Sequence, residues 1–398
     1  MYVEGGNIMK KFKKFACVAM ASAMVFAMAG CGSDGGSGSG NADANTFKIG
    51  GTGPLTGGAA AYGQAVRNAA QLAVEEINAN GGVNGYMLEL NYQDDEHDAE
   101  KAVNAYNTLK DWGVQIVLGS VTSGPCIAVC DKTKDDNIFQ LTPSGTAVEC
   151  TQYDNAFRVC FSDPAQGTVS AQYIGENNLA SKVAVIYDSS SVYSSGIYEN
   201  FSKEAGKYSF EVVCAEAFTE DSNKDFSVQL QKAKDSGADM VFLPIYYQEA
   251  ALILTQADSM GFKPTFFGVD GMDGILSGVD NFDTSLAEDV MFLTPFASTS
   301  KEANIVSFVT AYEEKFGETP NQFAADAYDG VYIIKELIEK SGVKPSDDVA
   351  TICNGLKGAM VEIKFDGLTG SGITWSADGE PSKAPSVVVI KDGVYQEL

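Results

Sequence analysis

FKIGGTGPLTGGAAAYGQAVRNAAQLAVEEINANGGVNGYMLELNY, residues 47–92, decides how this chain is read. Phe47 to Gly50 is a short strand-like run. Val66, Ala69, Ala70, Ala73, Val74 and Ile77 then recur on one helical face, and Asn80-Gly81-Gly82 stops the helix. Met87 to Tyr92 returns to a strand pattern. Strand, helix and strand in this order form the repeating unit of a parallel α/β sheet.

Outward from that unit the alternation persists. Ala99, Ala102, Val103, Tyr106 and Leu109 mark a helix behind Asp98, and apolar runs follow at 116–118, 139–141, 183–187, 210–213, 240–243 and 266–267. The series runs for about three hundred residues, too many for one compact sheet, and predicts two doubly wound lobes. Open α/β sheets bind ligands at the carboxyl ends of their strands. Two such lobes facing each other make a cleft that can shut on a small molecule.

The 398 residues are 45% hydrophobic and 20% charged, a globular composition, and the net charge of −26 argues against a nucleic-acid partner. The N-terminus differs. Lys10, Lys11, Lys13 and Lys14 precede an apolar stretch from Phe15 to Ala29, too short for a comfortable membrane span, which ends in Met28-Ala29-Gly30-Cys31. This pattern resembles a bacterial lipobox. It predicts a signal peptide over 1–30 and lipidation of Cys31; an ordinary cleaved signal with a chance cysteine is the alternative. Residues 31–46 then read as a flexible tether. A lipid on such a leash holds a folded body on the outer face of the cytoplasmic membrane without spanning it.

Catalytic patterns are thin. His97, the only histidine, sits in an acidic run (Asp94, Asp95, Glu96, Asp98) and reads as a solvated surface position. No GxSxG elbow or Walker A motif is present, and residues 51–57 lack the third glycine of a dinucleotide fingerprint. With one histidine and no CxxC pair, a zinc site is weakly supported. The reading is of a protein without enzymatic activity, cofactor or metal. Of the cysteines in the body, Cys126 and Cys130 are poorly spaced for a bridge on one helix. Cys150 and Cys160 flank a turn-like stretch and are the candidate pair; Cys214 and Cys353 complete the set.

Binding patterns are richer. Residues 119–125 (GSVTSGP) and 141–146 (LTPSGT) each follow a strand and read as helix starts, where hydroxyls and free N–H groups suit a carboxylate. Ser123 and Thr146 acting only as helix caps is the plainer alternative. Asp270, after the 266–267 run, reads either as an ammonium partner or as part of an ordinary Asp-Gly turn. Tyr246-Tyr247 is ambiguous between packing and contact.

These segments, taken with EINANGGVNG, FRVCFSDPAQG, FFGVDG, AYDGVY and FDGLTGSGITWSADGEP in this order, resemble the type I periplasmic binding proteins of the branched-chain amino acid uptake family. The resemblance runs from about Phe47 to the C-terminus. It implies two Rossmann-like lobes joined by three crossings, with 47–164 and 294–365 in one and 165–293 and 366–398 in the other. It implies that Ser123 and Thr146 hold a ligand carboxylate, that the Ser144 carbonyl and Asp270 hold the ammonium, and that Tyr62, Val121, Thr122, Gly145, Tyr193, Tyr246 and Phe323 surround the side chain. The expected protein is a monomer that captures a small aliphatic or branched-chain amino acid for the permease of an ABC importer. A sensor ectodomain, or a binder of an aromatic or polar amino acid or small amide, is the alternative.

Overall fold

The computed structural model describes residues 45–398; the signal segment, Cys31 and most of the tether lie outside the described residues. Strand β1 (Thr46–Gly53), helix α1 (Ala60–Ala79) and strand β2 (Met87–Asp94) build the unit read from the sequence. Helix α1 buries Val66, Ala69, Ala70, Ala73 and Ile77. It stops where Gly81 and Gly82 take φ of 97° and 75°. A β-carbon on Gly82 would lie 2.0 Å from the Tyr86 carbonyl oxygen, so only glycine fits this reversal. Helix α2 (Ala99–Trp112) starts on Asp98, whose carboxylate accepts from the Lys101 N–H.

Strands β3 (Ile116–Leu118), β4 (Phe139–Thr142) and β5 (Ala156–Arg158) complete a five-stranded parallel sheet in the order β2-β1-β3-β4-β5. The second sheet takes β6 (Lys182–Asp188), β7 (Glu211–Phe218), β8 (Met240–Leu243), β9 (Thr265–Gly268), β10 (Met291–Thr294), β11 (Ser386–Lys391) and β12 (Val394–Glu397). Its order is β12-β11-β10-β9-β8-β6-β7. Strands β6 to β10 run parallel, whereas β11 and β12 add antiparallel to the edge. Asp392-Gly393, both at positive φ, form the two-residue hairpin turn that joins β11 to β12.

Helices α4 (Asp163–Glu176) and α5 (Val192–Ala205) cover one face of the second sheet, and α6 (Ser227–Asp235) and α7 (Tyr247–Ser259) the other. Helices α9 (Gln322–Ser341) and α10 (Val349–Met360) return to cover the first sheet beside α1, opposite α2 and α3 (Ser123–Asp136). The chain crosses between sheets after β5, after β10 and just before β11. The last crossing falls later than the sequence reading placed it. Residues 366–383, assigned there to the second lobe, pack on the first. Ile373 and Trp375 enter its core, Trp375 donates to the Arg158 carbonyl at 2.8 Å, and the Asp329 carboxylate receives the Leu368 and Thr369 N–H groups. Lys383, itself buried, closes this segment with an ion pair to Asp326. No helix among the described residues is long and apolar enough to cross a membrane.

Candidate ligand-binding site

One wall of the cleft is made by the loops after β3 and β4. Ser123 opens α3, yet its hydroxyl does not cap that helix; it accepts the N–H groups of Thr146 and Ala147 at 3.2 Å each. It also lies 3.3 Å from the Thr146 hydroxyl. Ser144 donates to the Val121 carbonyl, and Thr142 ties the Ser120 carbonyl to the Gly145 N–H, each at 2.7 Å. The two loops are therefore laced into one surface.

The second loop does not open an α-helix, contrary to the sequence reading. Only a single 3₁₀ turn follows, Val148–Thr151. Arg158, fully buried behind the loop, donates to the Gly145 and Ala147 carbonyls at 2.9 Å, claiming acceptors that a longer helix would need. Its Nε lies 3.0 Å from Glu380 of the returning segment. Gly145 serves this packing rather than bordering the cleft: a β-carbon there would meet Thr142 Oγ1 at 2.8 Å and Cys126 Sγ at 2.9 Å.

The facing wall comes from the second sheet. Asp270 follows β9 and is only 4% exposed. Its carboxylate accepts from the Tyr193 hydroxyl at 2.6 Å, and its backbone N–H donates to Gln166 at 3.0 Å. Burial pushes its pKa up to about 6, while the Tyr193 and Gln166 hydrogen bonds pull the other way. Gln322, at the start of α9, donates to the Asp270 carbonyl at 2.8 Å.

Aromatic rings close the sides. Tyr62 on α1 reaches across to donate to the Gly271 carbonyl at 2.6 Å and accepts the Tyr247 N–H at 3.3 Å. Its ring lies 4.3 Å from Phe323 and 5.3 Å from Tyr246, and Tyr193 lies 4.8 Å from Tyr246. Together Tyr62, Val121, Thr122, Ser144, Thr146, Tyr193, Tyr246, Asp270, Gly271 and Phe323 line a small cavity between the two walls. Of the residues expected at the site, Ser123 and Gly145 stand behind its wall, and Gly271 is an addition. A wider groove of about 640 Å³ is lined by Tyr247, Gln64, Lys224, Gln248 and Glu318 among others. The smaller cavity is the better site, because buried charge and hydroxyl groups converge on it.

Three residues there escaped the sequence reading. Asp163, first in α4 and 2% exposed, receives no role from its local pattern. Burial holds its carboxyl well above the ordinary range, the Thr146 hydroxyl lowers it and the Asp270 charge raises it. Gln166 sits one turn further along the same helix face. His97 is the third, and its expected solvated position is wrong. Its Nδ1 lies 2.8 Å from the Thr122 hydroxyl and its ring meets Tyr246 edge-on at 5.5 Å. Cys150 and Cys160 are free thiols facing the Ser123 and Gly145 carbonyls at 3.7 and 3.6 Å, so the candidate pair is not joined.

A family model for periplasmic binding proteins matches residues 46–394. The chain belongs to that family. As a periplasmic binding protein it is a solute-binding, extracytoplasmic protein by descent rather than a member of an enzyme family. The leucine-, isoleucine-, valine-, threonine- and alanine-binding protein of Pseudomonas aeruginosa is 31% identical over 338 residues, covering 84% of this chain and 86% of that protein. Among solved structures, the branched-chain amino acid transporter substrate binding protein LivJ from Streptococcus pneumoniae, in complex with isoleucine, has a TM-score of 0.80 at 31% identity. That match covers 88% of this chain and 98% of LivJ. The leucine-binding protein LivK from Thermotoga maritima follows at a TM-score of 0.78 and 27% identity, covering 88% and 97%. This periplasmic binding protein thus shares its two-sheet architecture with proteins named for aliphatic amino acids.

Proposed function

We propose that this protein is a lipid-anchored, monomeric binding protein that captures a branched-chain or other aliphatic amino acid and presents it to the permease of an ABC importer. One observation carries the reading: a buried carboxylate on one lobe, Asp270, faces the laced hydroxyl loops of the other across a small aromatic-walled cavity. A zwitterion needs an anion for its ammonium and hydroxyl or N–H donors for its carboxylate. Here Asp270 is the first, and Thr146 supplies the second, held in place by Ser123 from behind. The cavity is small and walled by aromatic rings and buried polar groups, which suits a compact ligand. Because the two partners of the ligand sit on different lobes, the ligand favours the closed pair by its greater affinity for it. Tyr62, bonded to Gly271 across the cleft, adds a contact that exists only when the lobes meet. The relatives named above for leucine, isoleucine and valine support the same ligand class.

The test is calorimetric titration of residues 32–398, unfolded and refolded to strip any carried ligand. Leucine, isoleucine and valine are expected to bind with micromolar or tighter affinity, and glutamate and lysine not at all. Absence of binding by all three aliphatic amino acids would overturn the reading.

A further inference from the structure

His97 touches both walls of the cavity without bordering it. From the loop between β2 and α2 it reaches Thr122 Oγ1 on its own lobe at 2.8 Å, and it packs edge-on against Tyr246 of the other lobe at 5.5 Å and 72°. Its placement is built rather than incidental. Glu96 and His97 both take positive φ, 50° and 64°, a costly conformation for either residue. The buried Asp95 holds that turn by accepting the His97 N–H at 3.0 Å. Asp98 of the same loop, and Asp188 and Glu220 of the second lobe, are the acids around the ring.

Thr122 lines the cavity. Threonine presents either a methyl group or a hydroxyl to a ligand, and which it presents depends on where the hydroxyl is spent. We propose that His97 sets the selectivity of the cavity for a fully apolar side chain, by accepting the Thr122 hydroxyl proton at Nδ1 so that Thr122 turns its methyl group to the ligand. The inference rests on the amino-acid-binding reading above. His97 is in this view a positioning residue: it acts through Thr122 and does not meet the ligand. A ligand hydroxyl entering beside a methyl group loses its water partners and gains none, which costs more than an apolar group of the same shape.

Valine and threonine are near-isosteric and differ at one methyl-for-hydroxyl position, so the ratio of their dissociation constants reads this effect directly. The wild type is expected to prefer valine. His97→Gly suits the positive φ and removes the ring, freeing the Thr122 hydroxyl. It should lower the threonine-to-valine ratio by roughly fivefold, the worth of one net hydrogen bond. His97→Ala, read the same way, gives the same direction should glycine loosen the loop. His97→Asn keeps an acceptor near the Nδ1 position and tolerates the backbone, so it should retain the wild-type ratio. The double variant His97→Gly/Thr122→Val removes the freed hydroxyl and should restore the preference for valine. A general loosening of the cleft would weaken both ligands together and leave the ratio alone. A ratio unchanged in both His97→Gly and His97→Ala, while valine still binds, overturns the role of His97 only. A fall that persists in the double variant also overturns it. A wild type that binds no aliphatic amino acid overturns the function itself, and this inference with it.

Discussion

Replacing Asp270 with asparagine separates the binding role proposed for it from any role in folding. The carboxylate is 4% exposed, and burial raises its pKa from 3.8 to about 6. A shift of that size disfavours the charged form by about 3 kcal/mol. Asparagine has nearly the same shape, carries no charge and still accepts from the Tyr193 hydroxyl. The unliganded Asp270→Asn protein should therefore be as stable as the wild type at pH 7, or more stable by up to about 3 kcal/mol. Binding should suffer in the opposite sense. A ligand ammonium buried without its counter-charge costs about 3–5 kcal/mol, which lowers affinity by roughly two to four orders of magnitude. Thermal unfolding without ligand and calorimetric titration with leucine at pH 7.5 measure the two quantities on one preparation. Leucine affinity within about threefold of wild type would refute the assignment of Asp270 to the ammonium. A marked loss of unliganded stability would show that the charge is structural instead.

The pH dependences of stability and affinity should oppose each other. Asp270, Asp273 and Asp329 are raised to about 6 and Asp95 to about 7, so the folded state binds protons more tightly than the unfolded chain. Their contribution to stability is fully present below the unfolded value of 3.8 and is lost as pH rises through 6 to 7; unliganded melting temperature should rise from pH 8 to pH 5. Over the same range protonation of Asp270 should weaken leucine binding by about tenfold, and affinity that is flat from pH 8 to 5 contradicts this. Arg158→Met strands the buried Gly145 and Ala147 carbonyls, at about 1–3 kcal/mol each, so chemical denaturation should show a loss of about 2–5 kcal/mol, with leucine binding lost in whatever remains folded. Cys31→Ser should move the protein from the membrane fraction to the soluble fraction, and continued membrane association would mean that the signal segment stays attached.

Much of the fold was legible because it rests on local periodicity. The alternation of β and helical patterns between residues 47 and 267, with stops such as Asn80-Gly81-Gly82 and starts such as Asp98, follows from backbone and side-chain preferences that need no distant partner. Strands β5 and β10 to β12 were not read, although Asp392-Gly393 carries a hairpin signal. The two hydroxyl loops and Asp270 were legible for a related reason: each sits at the end of its own strand, where an open α/β sheet gathers its loops.

What the sequence by itself determined was therefore the repeating unit, the class of fold and the strand ends at which polar groups collect. Tertiary structure alone decided which of those groups meet and what each does on arrival. The Ser123 hydroxyl serves the loop of Thr146 instead of its own helix, and Arg158 holds that loop with help from Glu380. His97, in an acidic run that reads as solvated, is turned by two left-handed residues onto Thr122 and Tyr246. Asp163 becomes a buried acid beside Asp270, and residues 366–383 stay with the first sheet through Trp375 and Lys383. The physical reason is common to all of them. Burial, desolvation and hydrogen-bond pairing are set by neighbours far away along the chain, and periodicity within a single segment carries no record of those neighbours.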